Sequence, residues 1–121
     1  MAANISSTFD IVIDQLLNAN SVVITNPGRA FRVVGVYITG ADTAVFTLNK
    51  NSAIGQLVAQ MTIAAATTGT NDVPCDLPVL TPAALTFSST QNIFVRETNG
   101  VNLTRVVVSC EASNPEPVTV T

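Results

Sequence analysis

The sequence predicts an all-β domain, a two-sheet sandwich of about eight strands with jelly-roll or Greek-key connectivity. Three observations predict it. Short runs rich in Val, Ile, Thr and Phe recur along the chain, and such side chains fit a pleated, half-buried surface. Pro, Gly, Asn and Asp punctuate the runs at fairly regular spacing, as turns between strands require. At 121 residues, the chain has the normal size of one domain, and folding buries roughly two thirds of the surface the unfolded chain exposes. Residues 1–121 therefore read as a single domain, with no internal repeat and no dividing linker.

Taken in order, residues 9–17 fit a helical stripe through Phe9, Val12, Ile13, Leu16 and Leu17 as well as a strand. The three consecutive β-branched residues Ile11, Val12 and Ile13 tilt the choice to strand. Asn26-Pro27-Gly28 joins residues 21–25 to 30–39 with the Pro-Gly order of a type II turn. Gly40-Ala41-Asp42 turns the chain into residues 43–49. Residues 57–64 alternate, with Leu57, Ala59, Met61 and Ile63 on one face. Residues 81–89 are equally undecided, with Pro82, which has no amide hydrogen to give a ladder, barred from an interior strand position at its own site. Asn99-Gly100 is the dipeptide of a two-residue type I′ hairpin and is expected to link residues 93–98 to 101–111. The Pro-containing tail, residues 113–121, reads as a last edge strand or as an arm, and residues 1–8 as a second contact arm.

One strand poses a problem. In residues 31–39, Arg32, Val34, Val36 and Ile38 share one face and Phe31, Val33, Gly35 and Tyr37 the other. If Val34, Val36 and Ile38 fill the core, then Phe31, Val33 and Tyr37 point outward, each forfeiting roughly 1.5–3 kcal/mol of burial. Cover is then expected from a terminal segment, a subunit or a partner, which makes Phe31, Val33 and Tyr37 the candidate contact residues. The mirror assignment of the two rows is the alternative. Val106, Val107 and Val108 repeat the two-sided pattern.

The composition narrows the function. The chain is 47% hydrophobic and 11% charged, against a usual charged share of about 25%. A surface this poor in charge suits a chain packed against copies or partners. With a net charge of −3 and Lys50 the only lysine, phosphate neutralisation is disfavoured, so no nucleic acid is expected as partner. No run of about 20 apolar residues occurs, so no membrane span is expected. The first ten residues lack the basic and apolar regions of a secretory signal. Cys75 and Cys110 are the only cysteines; one disulfide is open to them, and two reduced thiols is the safer reading.

No histidine is present, which removes Ser-His-Asp and Cys-His nucleophilic machinery and His-bearing zinc sites within one chain. Gly35, Gly40 and Gly55 lack the spacing of a phosphate-binding loop. Asp10 and Asp14 share a strand face at roughly 13 Å, too far apart for paired-carboxylate hydrolysis. Asp72 and Asp76 flank an oxygen-rich loop that suits turn capping better than calcium. Glu97 and Glu111 are expected to meet Arg96 or Arg105 across a sheet surface. The expectation is no enzyme and no cofactor. Carbohydrate binding, which stacks a sugar on exposed rings, is the alternative, though there is no Trp and only one Tyr.

The charge-poor, Thr/Ala/Asn-rich β chain, with VVGVYITGADTAVFTLNKN running into GQLVAQMTIAAATTGT, resembles bacteriophage virion structural proteins. It is most similar to small capsid cement, or decoration, proteins of jelly-roll or sandwich fold. The resemblance implies a virion location and a homo-oligomer, a trimer foremost, that bridges major capsid protein subunits and stabilises the shell. It carries over no individual residue.

Overall fold

The computed structural model describes residues 2–4, 8–26, 28–67, 73–75, 82–112 and 117–119. The elements are β1 (Ala2–Asn4), β2 (Thr8–Ile13), β3 (Ser21–Ile24), β4 (Phe31–Gly40), β5 (Val45–Lys50) and β6 (Leu57–Thr62). They continue through β7 (Val73–Pro74), a single helical turn α1 (Pro82–Leu85), β8 (Thr86–Phe87), β9 (Ile93–Glu97), β10 (Leu103–Ala112) and β11 (Pro117–Thr119). A short 3-10 turn, Ala65–Thr67, follows β6.

All pairings are antiparallel and build two main sheets, beside a two-stranded ribbon of β1 and β11. One has the order β2-β10-β4-β7, with β8 also on β4; the other runs β3-β9-β5-β6. Read along the chain, the pairs nest: β1 with β11, β2 with β10, β3 with β9, β4 with β7 and β8, β5 with β6. The chain is thus one long hairpin, folded at the β5–β6 tip and rolled so that β10 also meets β4 and β9 meets β5. That is jelly-roll connectivity.

The core lies between the sheets. Phe31, Phe46, Phe87, Ile38, Leu48, Ile93 and Leu103 are among its fully buried side chains. Phe31 stacks on Phe87 at 4.9 Å between centroids and meets Phe9 edge-on at 5.7 Å, the two geometries that the ring quadrupole favours. Residues 9–13 are strand, as the β-branched run predicts, and Leu17 adds an isolated bridge to Leu103.

The two-sided strand is resolved by a β-bulge. Ser109 pairs with Gly35 but Cys110 with Val33, so Val34 is an extra residue on β4. A bulge shifts the side-chain alternation by one. Phe31 and Val33 therefore point inward before it, at 2% and 1% exposure, and Val36 and Ile38 inward after it. The expectation that Phe31 and Val33 face out with Tyr37 is corrected: the core of the same chain covers them, and Val34, assigned to the core, is 46% exposed. Tyr37 does face outward and is half-buried. A second bulge at Thr104 does the same in β10, turning Leu103, Val106, Val108 and Cys110 inward. A third irregularity at Val58 lets both Val58 and Ala59 be buried.

Asn99-Gly100 does not close a β-hairpin, because β9 and β10 belong to different sheets. Gly100 takes a positive φ of 71°, and the turn carries the chain over the end of the sandwich. Pro27 lies outside the described residues, while Gly28 has φ of 96°, where glycine is favoured. The candidate arms are described only at residues 2–4, 8 and 117–119, where β1 and β11 pair with each other and Thr8 opens β2.

Candidate functional site

The outward face of the five-stranded sheet is built by strand register. Val107 lies opposite Val12 on one side and Tyr37 on the other, and Tyr37 lies opposite Pro74. These four residues form an apolar row across four strands. Val12 and Pro74 are exposed at its ends, Tyr37 is half-buried, and Val107 forms its floor. The next row toward the start of β2 holds Asp10, Ser109 and Gly35, with Ser109 Oγ donating to Asp10 Oδ1 at 2.8 Å. Tyr37 lies across Gly35: a Cβ placed there would stand 3.1 Å from the Tyr37 hydroxyl. Gly35 thus leaves space for the ring to lie flat, and Asp10, Tyr37, Val107 and Ser109 line a shallow depression of about 310 Å³.

Polar rows flank this surface. Arg105 Nε pairs with Asp14 at 3.2 Å and Arg32 with Glu111 at 3.4 Å. Exposed pairs of this kind contribute up to about 1 kcal/mol each. The expected partners differ: Glu111 meets Arg32 and Arg105 meets Asp14, while Glu97 faces inward, opposite to its β9 neighbour Arg96, and Arg105 lies on β10 in the other sheet.

The outward face of the four-stranded sheet carries a second apolar row. Val23, Phe94 and Leu57 lie in register on either side of Asn49. Asn49 is covered by the β5–β6 loop, its Nδ2 donating to Gly55 O at 2.9 Å. Further hydrogen bonds lock that loop: Lys50 N to Gln56 O, Gly55 N to Ser52 O, and Asn51 N to Asn92 O. Gly55 is required there, since a Cβ would stand 1.6 Å from Lys50 O. The locked loop holds Ile54 at 97% exposure. Arg96, one row away, donates from Nε to Thr47 Oγ1 at 3.3 Å.

Two buried polar groups hold the ends. Glu97, 1% exposed, accepts from Val45 N (2.7 Å), Asn99 N (2.9 Å), Ala19 N (3.0 Å) and Val101 N (3.1 Å). Desolvation pushes its carboxyl up, but the four amides outweigh it and hold the pKa at about 2. Asn26 fills its valences with Arg29, Ser88 and Gln91 carbonyls and the Gly28 and Arg29 amides. Lys50 is buried; its Nζ donates to Thr86 O at 2.6 Å and lies over the Phe87 ring, and desolvation lowers its pKa. Both cysteines are buried thiols without a disulfide. Desolvation first, then the Asp10 carboxylate, pushes Cys110 up to about 12, which leaves it an unreactive thiol at neutral pH.

Asp10 and Asp14 both stand on the outward face, engaged with Ser109 and Arg105. Asp72 and Asp76 lie outside the described residues. Among the described residues no three metal-ligating side chains cluster. No helix among them is long and apolar enough to cross a membrane. Of the predicted contact residues, only Tyr37 stands on a surface. Val12, Pro74, Val23, Phe94 and Ile54 were not singled out as contact residues by sequence reasoning, and Val107 was signalled only through the two-sided run Val106, Val107 and Val108. No family model, no curated protein and no solved structure matches this chain.

Proposed function

We propose that the chain is a non-enzymatic structural protein of a virus particle, which binds major capsid protein subunits as a homo-oligomer, with a trimer the expected state. The observation that carries this reading is the pair of apolar rows on outward faces, Val12–Val107–Tyr37–Pro74 on one sheet and Val23–Phe94–Leu57 on the other, with Ile54 beside the second. A lone soluble sandwich keeps its outer faces polar, and contiguous exposed apolar surface marks contact with another macromolecule. The low charge and the jelly-roll fold agree with the resemblance to capsid cement proteins. Mixing the purified chain with assembled capsids and sedimenting them tests it: the chain is expected to co-sediment at saturable stoichiometry and to run as an oligomer alone. A chain that stays monomeric and remains in the supernatant sinks the proposal.

A second reading has one specific observation in its favour. Tyr37 lies flat over Gly35 beside the Asp10–Ser109 pair, the combination of ring face and polar rim that sugar sites use. Glycan-array binding lost in Tyr37→Ala is the expected result under that reading, and silence across a broad array counts against it.

A further inference from the structure

Between the sheets, at the open edge formed by β2 and β3, lies a cavity of about 120 Å³. Its walls are Phe9, Ile11, Ile24, Phe31 and Ile93, and its mouth is set by Thr25, Asn26 and Arg29. The Arg29 guanidinium stacks over the Phe9 ring at 4.9 Å. An apolar cavity of about 150 Å³ with this kind of lining stays dry and takes up benzene. The space here therefore admits one short aliphatic tail and excludes a long chain.

The mouth decides the head group. Asn26 has no valence left, since its two Nδ2 hydrogens are shared among three carbonyls and its Oδ1 accepts from two amides. Among the described residues Arg29 has no carboxylate partner, unlike Arg32 and Arg105. A guanidinium beside an apolar cavity recognises a carboxylate bidentately, and the ring beneath it fixes its plane.

We infer that this crevice is a binding site for a small aliphatic carboxylate, its tail between Phe9, Ile24, Phe31 and Ile93 and its carboxylate on Arg29. The site stands apart from the outward apolar rows and does not depend on their function.

The test titrates the full chain, followed by NMR, with sodium butanoate, pentanoate and hexanoate, and with 1-pentanol as the neutral control. Shifts are expected at Phe9, Ile24 and Ile93, with affinity rising about fourfold per methylene until the cavity is filled. Arg29→Gln, a change at an exposed side chain, is expected to weaken pentanoate at least tenfold and leave 1-pentanol unchanged. Ile24→Phe fills the cavity from the edge strand and is expected to abolish both. Unmoved cavity resonances, an equal affinity for the acid and the alcohol, or an Arg29→Gln chain that binds pentanoate as the wild type does, would each overturn the assignment.

Discussion

At one end of the sandwich the loops after β2 and β9 and the start of β5 converge on the Glu97 carboxylate, and at the other the loops after β3 and β8 converge on the Asn26 carboxamide. Both groups are buried and both act only on backbone. The difference is charge. An ionised acceptor makes shorter and stronger hydrogen bonds, but its loss leaves four amides without an acceptor. A carboxamide both donates and accepts, so it ties carbonyls and amides together with no ion to desolvate. The jelly roll needs such knots because its loops cross between sheets, where no ladder satisfies their amides.

The largest break in this comparison is Glu97→Ala. With four buried donors orphaned, it is expected to cost about 4 kcal/mol or more, read as a lower urea midpoint. Removing Asn26 is expected to cost about 2 kcal/mol in Asn26→Ala, so the ordering of the two variants tests the charge argument itself.

Acid sharpens it. Below an ordinary carboxyl pKa of 4.5 the unfolded chain protonates Glu97 while the folded chain, at about 2, does not. Stability from this group is therefore complete above roughly pH 5 and is lost as pH falls from 4.5 toward 2, by about 3 kcal/mol in all. Glu97→Gln is expected to flatten that part of the urea-midpoint profile, whereas Asn26→Ala should run parallel to the wild type. The smallest stability effects are expected at the outward rows: Tyr37→Ala and Ile54→Ser should change the unfolding free energy from urea titration by less than about 0.5 kcal/mol, since neither fills the core.

The layered all-β architecture was legible because it follows from local chemistry: β-branched runs, and turn residues between them. The phase of the strands was not. Phe31 and Val33 read as an outward row because strict alternation was assumed along β4, and a single extra residue, Val34, inverts that assignment. Gly35 beside it is the one sign, since an isolated glycine inside a strand marks a bulge or a close approach, but it does not fix which residue is extra; that is set where β4 must match β10. Asn99-Gly100 misled for a related reason, since its turn preference is local while the choice between hairpin and crossover is set by the roll of the whole chain. Glu97 looked like a surface acid because a carboxylate is rarely buried, and the four amides that stabilise it come from two loops and the first residue of β5. Tyr37 faces outward as the alternation predicts, but its neighbours Val12 and Pro74 enter the same row only through register.

The central claim is that the outward apolar rows carry function while the core does not depend on them. It is tested most directly by capsid co-sedimentation of the doubly substituted chain Val12→Ser with Ile54→Ser, beside the wild type, after both are shown to unfold at similar urea concentrations. The account predicts a folded variant whose capsid binding falls at least tenfold. A variant that is equally stable and binds capsids as tightly as the wild type would contradict it.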